Sequence, residues 1–263
     1  DMDKDHPLYS YIAADNCTGC YRSSTITKIT VLDLSSAGAP LVLREIYLEG
    51  SYQTARRIEN SAHLIAYTRM EVAGLTYWPE LPGEYYELPY NSPRRKELWD
   101  AAVQKAIAEN DAAITALDLA DLVPRLYTVA EDGSVIQHDF TDQGCSNFVA
   151  AADGMSRGFT SILSLDLMDA SFSLDADHIV TNNSTIYSSS DTLVIAEPAQ
   201  DWWWYWGVDD DFEEATNLHS FDVSAAGHAT YSASGRIAGT VLNQFSLSEY
   251  NGYIHRPVEP LVA

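Results

Sequence analysis

Three times in this chain an alternating stretch closes on an aspartate followed by an aliphatic residue: Asp33-Leu34, Asp166-Leu167 and Asp222-Val223. Each pair heads a similar passage: TITKITVLDLSSAGAPLVLREIYLEGSYQTARRIENSAHLIAYT from Thr25, FTSILSLDLMDASFSLDADHIVTNNSTIYSSSDTLVIAEP from Phe159, and TNLHSFDVSAAGHATYSASGRIAGTVLNQFSLSEYNGY from Thr216. Alternation with period two places successive side chains on opposite faces of a strand. Every copy then runs strand, turn, strand, turn, strand. The third reads as four short strands: Leu218 to Asp222, a run at 228–234 ended by Gly235, Ile237 to Phe245, and Tyr253-Ile254 after a tight Asn251-Gly252 turn. The recurring aspartate ends its strand with a carboxylate free to accept backbone N–H groups of the following turn, which is a structural role.

Three copies of an all-β unit of roughly 40 residues match the period of propeller blades, although unrelated meanders in a sandwich share the short, evenly spaced strands. The expected fold is mainly β: a β-propeller with three to four recognisable blades in an incomplete arc, carrying a helical insertion near residues 94–122. A fourth blade would draw on residues 8–20 and 125–140. Residues 1–263 read as a single propeller domain or its N-terminal portion, with an inserted Pro-rich loop and helix at 70–124 and a Trp-rich acidic loop at 199–215. Leu8 to Ile12 reads as a strand. Met70 to Pro93, with prolines at 79, 82, 89 and 93, reads as a long surface loop. After Ser92-Pro93 the Ala-rich stretch 94–109 has helix propensity, and 111–122 is a second helix or a turn. Leu126–Ala130 and Ser134–Phe140 form a strand pair across Glu131-Asp132-Gly133, and 144–158 is loop-like.

The formal net charge is −23, from 38 acidic against 15 basic residues. Such a surface repels phosphate backbones and disfavours nucleic-acid binding, while it suits cations or basic partners. No run of about 18 apolar residues is present to span a membrane. The polar opening DMDKDHP fits a mature, processed chain as well as a cytosolic one. Cys17-Thr-Gly-Cys20 is a CxxC with a third thiol at Cys145. A zinc site needs two more ligands, and no second CxxC accompanies it. A thioredoxin-type pair opens a helix, whereas Tyr-Arg-Ser-Ser follows here. A small loop disulfide between Cys17 and Cys20 is the preferred reading.

Two further stretches carry chemistry. Trp202, Trp203, Trp204, Tyr205 and Trp206 form an aromatic run that either packs between blades or presents a surface for a glycan or a protein. Asp209, Asp210, Asp211, Glu213 and Glu214 offer oxygen ligands for Ca²⁺ but lack EF-hand spacing, and a solvated acidic loop is the plainer reading. The seven histidines, at 6, 63, 138, 178, 219, 228 and 255, are scattered, and His219 in its alternating strand is read as structural. No G-x-S-x-G, H-E-x-x-H, P-loop or G-x-G-x-x-G occurs.

The runs GSYQTARRIENSAHLIAYT at 50–68, DLADLVPRL at 118–126, and above all LHSFDV with YSASGRIAGTVLNQFSLSEYNGY across 218–253 resemble one family. These are secreted bacterial and archaeal proteins with a C-terminal β-propeller distantly related to WD-40 repeats. The resemblance covers most of the chain, from about Tyr11 to Tyr253, and Asn243 to Gly252 is its most specific segment. It implies a propeller and export to the outside or the cell surface, and it brings no catalytic set. Members of this type continue beyond the Asn-Gly-Tyr turn, so this chain reads as an arc whose open edges a second copy or another protein covers. The favoured function is therefore an extracellular, non-enzymatic interaction or structural module that needs no cofactor beyond possible Ca²⁺. The alternative is a hydrolase or lyase with a metal-assisted site in the propeller channel, drawing on Asp132, Asp139, Asp142 and the 209–214 cluster.

Overall fold

The computed structural model describes residues 2–13, 25–36, 38–70, 74–140, 146–152, 156–169, 171, 173–199 and 214–256. The chain divides into two compact units, one from Asp1–Ser24 with Met70–Val123 and one from Thr25–Arg69 with Pro124–Ala263.

The first unit is helical where described: α1 (Tyr9–Ala13), α2 (Gly83–Glu87), α3 (Pro93–Thr115) and α4 (Leu119–Leu122). The strand expected over Leu8–Ile12 is instead this single turn of helix, with Leu8 fully buried. Apolar residues at 8 and 12 fit a helical i, i+4 pair as well as they fit alternation, so five residues could not separate the two periods. Pro93 opens α3 at its first position, as expected, but the helix passes 109 and reaches Thr115. Asn110 disfavours a helix interior mainly by competing for backbone groups. Here its side chain is engaged elsewhere: it accepts from Thr76 N (2.7 Å) and donates to Thr76 O (3.0 Å). The Pro-rich segment also contains α2, whose Tyr85 lies under the Arg95 guanidinium at 4.4 Å.

The second unit is built of strands. They are β1 (Ile26–Asp33), β2 (Leu41–Glu49), β3 (Ser51–Ile58), β4 (Ser61–Arg69), β5 (Leu126–Val129), β6 (Val135–His138), β7 (Phe148–Ala150) and β8 (Gly158–Asp166). There follow β9 (Leu174–Thr181), β10 (Thr185–Ser188), β11 (Thr192–Pro198), β12 (Ala215–Asp222), β13 (Thr230–Ala238), β14 (Ser248–Tyr250) and β15 (Tyr253–His255). They make a first sheet β1-β2-β5-β6, a second β3-β4-β8-β9-β7, a third β10-β11-β12-β13, and a hairpin β14-β15. All pairings are antiparallel except β7 on β9.

The sheets stack in sequence, face on face. Ile46, Leu48 and Leu126 of the first meet Ala66, Leu163 and Leu165 of the second. Ile65, Ile162 and Ile179 of the second meet Ile186, Leu193, Ile195 and Phe221 of the third. Val194 and Ala196 of the third meet Leu247 beside the hairpin, with Ile254 packed against them. Each face buries every second residue of its strands, which is what the alternation encodes.

The repeat is real at the level of geometry. Asp33 lies opposite Leu41 and Asp222 opposite Thr230, so the two hairpins have equal span, and each breaks register at the same place, between Val31 and Leu32 and between Ser220 and Phe221. Gly50 N donates to Thr25 O (2.9 Å) as Gly239 N does to Glu214 O (2.6 Å). Thr27 and Thr216 hydroxyls donate to the same glycines' carbonyls at 2.8 and 2.7 Å. The three aspartates accept as expected: Asp33 from Ser35 N, Asp166 from Met168 N and Asp222 from Ser224 N.

The phase of the repeat differs from the reading above. A repeat is not a sheet: β1-β2 and β3-β4 belong to different sheets, and so do β8-β9 and β10-β11. The hairpin β5-β6 extends the first sheet rather than founding a blade with residues 8–20. In the third copy Gly235 does not end a strand; β13 runs through it, opposite Leu218. The chain turns instead at Gly239 (φ +76°), so no strand spans Ile237 to Phe245. The Asn251-Gly252 turn is as expected, both residues having positive φ (51° and 75°) between Tyr250 and Tyr253.

Candidate functional site

Most residues singled out in the sequence lie outside the described residues: Trp202, Trp203, Trp204, Tyr205, Trp206, Asp209, Asp210, Asp211, Glu213, Asp142, Cys17, Cys20 and Cys145. Glu214 is described; it is exposed and leads into β12. Asp132 is spent on its turn: the Ser134 side chain first, and Ser134 N donating at 2.9 Å, hold its carboxyl below the usual range. Asp139 is exposed at the opposite end of β6, so these two candidates do not converge. Among the described residues no group of His, Cys, Asp and Glu is arranged to hold a metal ion.

The fold does assemble ionisable residues that the sequence reading passed over. Asp175 and Asp177, two apart on β9, share the face of the second sheet that meets the third. His63 and Ser164 stand in the same cross-strand row as Asp175, and His63 Nδ1 pairs with Ser164 Oγ at 2.9 Å. From the third sheet's side, His228 Nδ1 lies 3.1 Å from Asp175 Oδ2, which also accepts from Ala229 N. Burial, and next the charge of Asp175, push the Asp177 carboxyl up to about 7, with His228 opposing. Burial pushes the His63 imidazole down against the pull of Asp175. Asp177 Oδ2 and His63 Nε2 are buried with no hydrogen-bond partner among the described residues. The group can exchange a proton near neutrality where the two sheets meet. The sequence signal was the Asp-Ala-Asp triplet in an alternating strand, which puts both carboxylates on one face.

At the other end of the same interface Glu197, nearly fully buried, accepts from Asn182 N (2.9 Å) and Ser156 Oγ (3.1 Å) and lies near Asn217 Nδ2. His219 Nδ1 pairs with Tyr231 OH at 3.2 Å, in keeping with the structural role read for it. The Glu197 bonds to Asn182 and Ser156 tie the third sheet to residues flanking the second, while the His219–Tyr231 pair lies within the third sheet.

The strand edges of the first sheet and of the hairpin bear on contact with other chains. Among the described residues β1 is an edge strand of the first sheet, and the hairpin β14-β15 stands as two strands without a further partner. Leu32, Leu34, Leu41 and Val42 are exposed around the first border, and Leu242, Phe245, Tyr250 and Tyr253 around the second. Unpaired edges flanked by exposed apolar side chains are what a protein covers or uses for contact.

A family model described as a beta propeller domain matches residues 3–255. No curated protein and no solved structure matches the chain.

Proposed function

Because the chain belongs to the beta propeller domain family, we propose that it is an extracellular, non-enzymatic interaction or structural module that assembles with another protein chain through its open sheet edges. The observation that carries this is the pair of borders just described: β1, paired on one side with β2, and the two-stranded hairpin each leave an edge open among the described residues, with exposed apolar residues beside it. The deficit of basic residues supports a protein or cationic partner over a polyanion. Export is supported by the likeness of Asn243–Gly252 to secreted proteins. In this reading the run Trp202–Trp206 adds a contact surface, the acidic residues Asp209–Asp211, Glu213 and Glu214 are the place for Ca²⁺, and Cys17 and Cys20 close a loop disulfide.

The channel-hydrolase alternative has less support, since Asp132 and Asp139 lie at opposite ends of one strand. Amide hydrogen exchange tests the proposal. Strands β1 and β15 should exchange quickly in the dilute purified chain and become protected in the native assembly. Equal, fast exchange in both states defeats it.

A further inference from the structure

We propose that Asn183, in the turn between β9 and β10, is a glycosylation site: its side-chain nitrogen carries an N-linked glycan, and that of its neighbour Asn182 does not. This rests on the export reading above, because asparagine-linked sugar belongs to the surface loops of exported chains.

The sequence leaves two candidates side by side. Asn-x-Ser/Thr, the pattern that an acceptor asparagine requires, occurs at Asn16, Asn182 and Asn183, and the last two overlap in Asn182-Asn183-Ser184-Thr185. Asn16 lies outside the described residues. Asn182 would draw on the Ser184 hydroxyl, and Asn183 on that of Thr185. Bulky sugars on adjacent residues exclude each other, so one asparagine of the pair takes the modification.

The fold separates them. Asn182 is half-buried, and its groups are committed. Its N–H donates to Glu197 Oε2 at 2.9 Å, and Glu197 is only 1% exposed, so the anchor lies inside the molecule. The Asn182 carboxamide oxygen accepts from Arg157 N at 3.1 Å. The hydroxyl of its pattern is taken as well, since Ser184 Oγ donates to the Asn182 carbonyl at 2.8 Å. Asn183 follows directly on this anchored residue, at a bend, and is exposed. Among the described residues no hydrogen bond engages its carboxamide or the Thr185 hydroxyl. Thr185 opens β10, which among the described residues pairs on one side alone, with β11. An exposed turn beside an open strand edge gives a transferase room to approach.

The chemistry asks for that freedom. An amide nitrogen is a weak nucleophile because its lone pair is delocalised into the carbonyl, so the carboxamide must turn into the transferase's site unhindered. The donor class is an oligosaccharide esterified to a lipid phosphate or diphosphate. The bond from Asn183 Nδ2 to the anomeric carbon forms as the bond from that carbon to the phosphate oxygen breaks. The lipid phosphate leaves with the electron pair, and the nitrogen gives up one proton to a base of the transferase. A glycan here keeps the β9–β10 turn in solvent, so a protein partner docks elsewhere.

The test is peptide mapping of the protein purified from the cells that make it, with its location recorded by fractionation. Cleavage before aspartates releases residues 177–190, DHIVTNNSTIYSSS, which hold both asparagines. Electron-transfer fragmentation should place the added sugar mass on Asn183 in most copies, and none on Asn182. Two variants made in the same cells divide the overlapping patterns. Thr185→Val keeps the branched shape that suits a strand, removes the hydroxyl that Asn183 needs, and should abolish the sugar on this peptide. Ser184→Ala removes the hydroxyl of the Asn182 pattern alone and should leave the sugar in place. Sugar on Asn182, sugar on a serine or threonine of the peptide, or sugar that persists in Thr185→Val overturns the assignment. A bare peptide from protein found outside the cytoplasm overturns it and leaves the export reading standing; a bare peptide from cytoplasmic protein overturns both.

Discussion

At Asp177 burial and a neighbouring carboxylate act in the same direction, and the sign of the consequence is unusual for an aspartate. Its carboxyl is lifted from an unfolded value near 4 to about 7, so the folded chain binds the extra proton and this group's contribution to stability falls as pH rises from about 4 to 7. The buried His63 and His178 work the other way. His178, stacked on Phe148 and edge-on to Phe140, is pushed down to about 3 by burial, and its contribution is complete above about 6.5 and lost as pH falls towards 3. The difference between variant and parent isolates Asp177: Asp177→Asn should raise the melting temperature most above pH 7, with the gain shrinking towards pH 4. A gain independent of pH in a melting series would refute the shift. Glu49 and Arg125 are both buried, their charges 3.2 Å apart. Glu49→Ala removes the carboxylate that meets this buried guanidinium and should cost about 3–5 kcal/mol in denaturant unfolding. Little of this was legible in the sequence. The Asp-Ala-Asp spacing put two carboxylates on one face, but His63 and Ser164 stand 112 and 11 residues before Asp175 and His228 53 after it; sheet register brings the first two beside it and the stacking of the third sheet brings the last.

The strands and turns respond to local chemistry that the chain states openly, and here two glycines should behave in opposite ways. Gly50 has φ +118°, and a Cβ there would fall 2.5 Å from Thr68 Oγ1 and 2.8 Å from Tyr67 O. Gly50→Ala should cost roughly 2–4 kcal/mol. Gly235 lies within β13 with nothing near its Cβ position. Gly235→Ala should leave stability equal or raise it by about 0.5 kcal/mol. Equal melting curves for the two variants would show that the turn after β2 does not require glycine. The same pair explains an error of reading. Glycine punctuates a chain where positive φ is needed, as at Gly50 and Gly239, but in β13 it merely leaves a side chain out. Composition does not distinguish these uses; backbone conformation does.

For the whole molecule, stability rests on sheet against sheet. Phe221 is fully buried among Ile65, Ile162 and Ile179 of the neighbouring sheet, so Phe221→Ala should cost about 3–5 kcal/mol and loosen the second and third sheets together in hydrogen exchange. Loss of protection confined to β12 would contradict that coupling. The chain's sequence by itself determined that the protein is a set of similar all-β units, because alternation and turn residues act over a few positions and recur at Asp33, Asp166 and Asp222. It determined the turns as well, since the aspartate caps and the Asn251-Gly252 pair are satisfied by their immediate neighbours. Only the tertiary structure decided where one sheet ends and the next begins. A repeat can be cut at any phase without changing its pattern, and the hydrogen bonds that choose the phase join β4 to β8 and β2 to β5 across long separations. The same long-range pairing decided which strands are left at the borders, and so which apolar residues face outward.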